Sequence, residues 1–223
     1  MRKPDGSLTA HLSEILKHTL EYFTPEDKED DVSDNHKLVR IKSQEPIETD
    51  DDKDFILEEI RNAIEGMGNK KAPGENGITG EIYKSSFEIF PNYITAMYKE
   101  CLRRGVFPER WKRAKLIPIT KPGKENSEDV SKFHPISLLN TGGKVLEKVL
   151  INRINHHIYS HNLMNTNQYA FTPQRSTIDA AMAVKDVVEE GLLAGELIVL
   201  VSLDVKGAFD AAWWPSIESG YHL

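Results

Sequence analysis

LIVLVSLDVKGAFDAAWW, residues 197–214, opens with five consecutive apolar residues, Leu197 to Val201, and adds Leu203 after a single serine. An apolar run of this length without polar alternation predicts a strand buried on both faces. Asp204 stands at its end, and Lys206, Gly207 and Ala208 turn the backbone before Phe209. A carboxylate where a buried strand surfaces can hold a divalent cation. Mg²⁺ characteristically takes one or two protein carboxylates and completes its shell with water and substrate phosphates. The same residue could instead cap the turn that follows it.

Upstream, Gly195 closes a helix that runs to Leu193 and begins at Ser176-Thr177-Ile178-Asp179, which reads as a capping box. Gln168 to Arg175 is irregular and partly basic. Before it, Val145, Leu146, Val149, Leu150, Ile154 and Ile158 mark the buried face of a helix capped by Asn140 or Thr141. His157 and His161 stand four apart near its end, a metal-ligand spacing without the accompanying Glu of a His-Glu-x-x-His motif. A solvated helix end accounts for them. Two strands, Ala114 to Thr120 and Phe133 to Leu138, flank the basic turn Lys121-Pro122-Gly123-Lys124 and predict a β-hairpin.

Further towards the N-terminus, Ile94, Met97, Tyr98, Cys101 and Leu102 form a helical stripe that ends at Gly105. Ile82 to Phe90 is a shorter helix stopped by Pro91. Lys70-Lys71-Ala72-Pro73-Gly74 and Asn76-Gly77 are turn signals. Ile56, Ile60, Ala63, Ile64 and Met67 make another stripe, and Leu12, Ile15, Leu16, Leu20 and Phe23 an amphipathic helix within 8–23. Residues 24–53 are acidic and lack apolar periodicity, which predicts a loop or partly disordered linker.

The chain has 223 residues and a net charge of −7, which at first argues against a polyanionic partner. The distribution argues otherwise. Residues 21–59 carry fifteen acidic against five basic side chains, whereas 99–124 carry nine basic against two acidic. Clustered cations are what phosphate binding needs, although a charge run can equally be a solvated face. A lone cysteine, Cys101, excludes an internal disulfide and a cysteine-based zinc site. Neither a membrane-length apolar run nor a signal-peptide pattern occurs, so an intracellular protein is expected.

LDVKGAFDAAWW resembles the first catalytic motif of reverse transcriptases, in the form carried by non-LTR (LINE-type) retrotransposons. KKAPGENGI at 70–78, KLIPITKPGK at 115–124, FHPISLLNTGGKVLEKVL at 133–150 and NQYAFTPQRST at 167–177 match in the same order, with the insect R1 clade the nearest resemblance. The resemblance implies an α+β fold: a partial right-hand polymerase, fingers and first palm strand, preceded by a helical N-terminal extension. It places the extension at 1–69, with the acidic linker at 24–53, and the reverse transcriptase domain at 70–223.

It also implies an RNA-directed DNA polymerase, a nucleotidyltransferase copying an RNA template from a DNA primer at the target with deoxynucleotides. The parent enzyme would use two Mg²⁺ ions about 4 Å apart. Asp204 would be the catalytic carboxylate and a ligand of both ions, with the Val205 carbonyl beside it. Gly207 and Ala208 would meet the triphosphate through backbone N–H groups, and Phe209 would lie under the sugar. Lys121 and His134 would face the nucleotide's phosphates. Lys70, Lys71, Arg110, Lys112 and Arg113 would contact nucleic acid, and the location would be nuclear.

Two positions depart from the family. His134 stands where Arg is usual, and an imidazole lacks the arginine's phosphate-matching fork. Ala170 stands where Gly is usual, which raises the expectation of a backbone conformation there that alanine disfavours. The Tyr/Phe-Ala-Asp-Asp turn that supplies further carboxylates does not occur in the sequence. The expectation is therefore a segment truncated before that motif, without tight Mg²⁺ binding or polymerase activity of its own. The alternative is a non-enzymatic nucleic-acid-binding remnant of a decayed element. Without neighbouring palm strands the 197–201 run would also present an aggregation-prone edge.

Overall fold

The computed structural model describes residues 11–23, 33–44, 53–123, 128–205 and 212–219. They group into two compact units, one within 1–149 and 207–223, the other within 150–206. The class is mixed: nine α-helices, one short 3-10 helix and one two-stranded antiparallel sheet among the described residues. No helix among them is long and apolar enough to cross a membrane.

In the first unit, α1 (Leu12–Phe23) forms within the predicted helix, but its predicted stripe is not buried: Leu16 is 54 % and Leu20 49 % exposed, whereas Thr19 is buried. The acidic linker is not loop throughout. Residues 34–43 form α2 (Asp34–Ser43), with Ser33 accepting the His36 N–H as N-cap, Asp34 in the first turn and Arg40 and Lys42 in the last. That charge order complements the helix dipole, and local capping thus overrides the missing apolar periodicity. A tertiary contact adds to it: the Trp213 ring lies 4.6 Å from the His36 ring, with the Arg40 guanidinium 5.2 Å over it. Trp213 leads into α9 (Trp214–Ser219), which packs on α2.

The core gathers around α3 (Leu57–Glu65), α4 (Gly80–Ile89), α5 (Pro91–Arg103) and the first half of α7 (Thr141–Ser160). Phe55, Ile60, Ile64, Phe87, Tyr98, Val145, Leu146 and Val149 are buried there. Ile56 departs from the predicted stripe: it is the N-cap residue of α3 and is exposed. Asp54, just before α3, receives two hydrogen bonds from Arg103 at 2.9 and 2.6 Å, which tie the helix start to α5. Pro91, expected to stop α4, also starts α5 at its first position, where a missing N–H removes no helical bond. The short α6 (Glu109–Lys112) then leads into the sheet.

The hairpin is as predicted. β1 (Ala114–Thr120) pairs with β2 (Phe133–Leu139) from Ala114 opposite Leu139 to Thr120 opposite Phe133. The Lys121 N–H bonds the Lys132 carbonyl at 2.9 Å, so by alternation Pro118 and Pro135 face each other at a non-hydrogen-bonded pair. Neither proline removes a ladder bond there. Each instead withholds an N–H from an outer edge, which protects a two-stranded sheet from adding strands.

The second unit departs more from expectation. The latter half of α7 exposes Ile151 and Ile154, so the apolar face predicted to run to Ile158 is buried only as far as Val149. α8 (Thr177–Leu193) carries the predicted capping box, with the Asp179 N–H donating to Ser176 and the Ser176 N–H donating to Asp179. Ala170 is not in the left-handed region; its neighbour Phe171 is, at φ 58°, with its ring exposed. The largest correction concerns 197–203, which forms no strand among the described residues. Leu197 is 93 % and Leu203 90 % exposed. A strand exists through its ladder, and no described segment offers these backbone groups one.

Candidate nucleic-acid interface

Asn140 sits between β2 and α7, and its buried side chain uses both ends of its amide. Its Oδ1 accepts the Asn76 N–H at 3.2 Å, and its Nδ2 donates to the Arg110 carbonyl at 2.5 Å. The loop beginning Lys70-Lys71 and the turn carrying Arg110 are thereby fixed to one point. Gly74 shows how closely they meet: a Cβ there would lie 2.6 Å from the Asn140 backbone nitrogen and from Oδ1. The Thr141 hydroxyl donates to the Ile78 carbonyl and holds the far end of the same loop.

The first turn of α7 is pressed from the other side by aromatic rings. Trp111 lies on Gly142, where a Cβ would come within 2.6 Å of its ring. Phe107 meets Trp111 edge-on at 6.1 Å, and the Tyr98 ring lies 5.6 Å from it. The Tyr98 hydroxyl donates to the Gly142 carbonyl at 3.0 Å and shares a 2.5 Å hydrogen bond with Tyr83. Burial pushes both phenols up from their ordinary value, and their mutual proximity adds to the rise at Tyr98. These hydroxyls stay neutral and structural. Three stretches remote in sequence, 70–78, 107–113 and 139–144, thus meet on a rigid floor.

Around this floor the predicted cations differ in their freedom. Lys70 has φ 58°, with its N–H donating to Glu81 at 3.0 Å and its side chain exposed. Lys71 is exposed and forms no ion pair among the described residues. Lys112 is paired with Glu109 at 2.8 Å, and that hydrogen bond, reinforced by the charges of Lys112 and Arg113, holds the Glu109 carboxyl below the usual range. Arg110 and Arg113 are exposed and pair with no carboxylate among the described residues. The basic stretch as a whole is less free than its charge suggests. Lys99 and Arg103 turn to Asp54, and Arg104 to Glu100.

The hairpin brings two nucleotide-binding candidates together. Lys121 and His134 fall on one face, because Ile119 pairs with His134 and Lys121 lies two residues further on. The Lys121 ammonium donates to the Ser131 carbonyl at 2.9 Å, so a phosphate would have to draw it away. Asp204 and Val205 are exposed on the extended segment. Gly207, Ala208 and Phe209 lie outside the described residues, as does Lys124. No group of three or more His, Cys, Asp or Glu able to hold a metal occurs among the described residues. One carboxylate does not fit a two-ion site, so the described residues do not by themselves hold the metal pair. His157 and His161 stack on each other at 4.3 Å at an exposed helix end.

The reading of the sequence missed the part of Asn140 beyond capping, the seating of Trp111, and Lys144. The signal was the succession Asn140-Thr141-Gly142-Gly143-Lys144: two glycines opening a helix make sense only where something must approach closely.

Comparison with known proteins shows what the chain is similar to. The family described as reverse transcriptase (RNA-dependent DNA polymerase) matches residues 119–222. The chain is 29% identical over 215 residues, 96% of its length, to the retrovirus-related Pol polyprotein of the type-1 retrotransposable element R1 of Bradysia coprophila, and covers 20% of that protein. It is 30% identical over 161 residues, 72% of its length, to the RNA-directed DNA polymerase of the mobile element jockey of Drosophila melanogaster, covering 18%. A probable RNA-directed DNA polymerase from the Drosophila melanogaster transposon BS is 29% identical over 167 residues, 75% of the chain and 18% of the relative. The chain thus spans about a fifth of the length of the curated relatives it matches.

Proposed function

We propose that this chain, which carries a reverse transcriptase domain homologous to the RNA-directed DNA polymerases of non-LTR retrotransposons, supplies the template-holding fingers of such an enzyme. In this reading the loop at 70–78 and the hairpin β1–β2 are fingers, and residues 197–205 are the first strand of the palm. Residues 1–69 are an N-terminal extension. The observation that carries the proposal is the meeting of the Lys70-Lys71 loop and the Arg110–Arg113 turn at Asn140. Exposed cations on a rigid support suit a phosphate backbone, because positioning such a strand asks for fixed charge.

In the parent protein the substrates would be an RNA template, a DNA primer and deoxynucleotides, acted on in the nucleus. Mg²⁺ would supply the charge neutralisation that phosphoryl transfer requires. Asp204 would contribute one ligand to it, with the Val205 carbonyl adjacent. Lys121 and His134, on one face of the hairpin, would meet the nucleotide's phosphates, and Gly207, Ala208 and Phe209 would complete that pocket.

Binding of a labelled single-stranded RNA, followed by fluorescence anisotropy across ~50 to ~200 mM salt, tests the fingers assignment. Affinity should fall steeply with salt and should drop on Arg110→Glu combined with Arg113→Glu. Salt-independent binding, or an unchanged affinity in the double variant, would remove the basis of the assignment. Lys112→Glu should weaken binding less, because Glu109 already neutralises Lys112.

A further inference from the structure

Between the 67–72 loop and the start of α7 lies a cavity of ≈ 120 Å³ lined by Met67, Gly68, Lys71, Ala72, Gly80, Thr141 and Lys144. Two of these residues are cations and none is an anion. Lys144 is half-buried, one turn into α7, and pairs with no carboxylate among the described residues. Lys84 stands close by, its ammonium donating to the Met67 carbonyl at 2.8 Å and to Asn69 at 2.9 Å. Glu81 follows directly on Gly80, and its carboxylate accepts the Lys70 N–H. It is not among the lining residues.

Two lysines line the cavity with no carboxylate among its lining residues, and like charges placed together repel. An anion entering the cavity would offset that repulsion. The volume limits what can enter. Sites for whole small molecules run to roughly 300–1,000 Å³, so this cavity takes a single anionic group that projects from something larger. The first turn of α7 supplies Thr141 and Lys144 to the lining, so the partial positive charge of the helix N-terminus adds to that of the two lysines.

Resting on the fingers reading above, we propose that this cavity seats one phosphodiester phosphate of the bound nucleic-acid strand, gripped jointly by Lys71 and Lys144. Lys71, on the loop, closes on the phosphate from outside. Lys144, on the helix, fixes its depth. The seat sets the register of the strand against the fingers without reading its sequence, since phosphate contacts position and base contacts specify.

The test compares wild type with Lys71→Ala, Lys144→Ala, the double variant and Lys144→Arg in RNA binding across ~50 to ~200 mM salt. Because both lysines serve one phosphate, each Ala variant should make the slope of log affinity against log salt shallower by about 0.7, the single-strand value per phosphate, and the double variant should lose no more than either single. Lys144→Arg should retain the wild-type slope. A DNA strand of the same sequence should respond alike, and inorganic pyrophosphate should compete with both; pyrophosphate binding that the Ala substitutions abolish while strand binding is unaffected by them would assign the seat to a free polyphosphate and overturn the proposal. Unchanged slopes in all four variants would also overturn it, while a loss of affinity in Arg110→Glu with Arg113→Glu would leave the fingers reading standing. Absence of any binding by wild type would overturn both.

Discussion

The side-chain oxygen of Asn140 accepts the backbone N–H of Asn76 at 3.2 Å, across 64 positions of sequence. The same amide donates to the carbonyl of Arg110, so one buried residue holds two loops that carry the cations proposed to meet nucleic acid. Removing it exposes both loops to rearrangement at once.

Asn140→Ala should therefore destabilise the protein by about 2 kcal/mol, the sum of two modest hydrogen bonds. Asn140→Asp keeps the acceptor for Asn76 but sets a carboxylate oxygen against the Arg110 carbonyl, so it should cost at least as much. Urea unfolding of both variants checks this. A loss below ~0.5 kcal/mol in Asn140→Ala would mean that water replaces the clamp without penalty.

The two glycines beside the clamp should respond differently to one added methyl. At Gly74 the methyl would meet backbone atoms of Leu139 and Asn140, at Gly142 the ring of Trp111. Backbone in a packed junction cannot yield, whereas a ring can be made smaller. Each Ala variant should lose about 1–3 kcal/mol, the usual range for overpacking. Trp111→Phe should recover part of that loss in the Gly142→Ala background and none in the Gly74→Ala background. Thermal unfolding of the single and double variants decides; equal behaviour of the two backgrounds would contradict this account.

What the sequence disclosed was what short-range rules govern. The hairpin followed from two strand segments flanking turn residues, the α8 capping box from Ser176 and Asp179, and α5 from its stripe. What it concealed depends on partners. Helix α2 lacks apolar periodicity and is supported by its caps and by Trp213, far along the chain. The 197–203 run has the apolar pattern of a buried strand but, among the described residues, no neighbour to bond with. The site shows the same division: Lys70, Lys71, Arg110 and Arg113 were legible as exposed charges. That Asn140 gathers their loops, and that Lys99, Arg103 and Arg104 are occupied by carboxylates, follows only from tertiary packing.

The capping box of α8 carries a pH dependence of definite sign. The Asp179 carboxyl lies below the usual range because the Ser176 hydroxyl and then the Ser176 N–H bond it, with Arg175 adding a favourable charge. A depressed carboxyl stabilises fully above its unfolded value of about 3.9, and the contribution is lost as pH falls through the folded value. Amide protection at Ser176, Asp179 and Ala180, whose N–H groups are bonded in this first turn, should hold from neutral pH down to about 4 and decline below it. Ser176→Ala should lower that protection at neutral pH and flatten its acid dependence. Hydrogen exchange followed residue by residue reads both effects.

Asp204 should behave as an isolated surface carboxylate in a polypeptide of these 223 residues. It is exposed, on an extended segment, and no cluster of metal-binding side chains forms among the described residues. Because a ligand that binds the folded state raises its stability by mass action, a metal held by several converging groups would raise the melting temperature. Added Mg²⁺ should leave the melting temperature of wild type and of Asp204→Ala equal, and chelation should change neither. Primer extension on an RNA template should give no incorporation that depends on Asp204. A Mg²⁺-dependent stabilisation abolished by Asp204→Ala would show that the carboxylate gathers partners from outside the described residues, and the 197–205 segment would then have to fold into a sheet to bring them there.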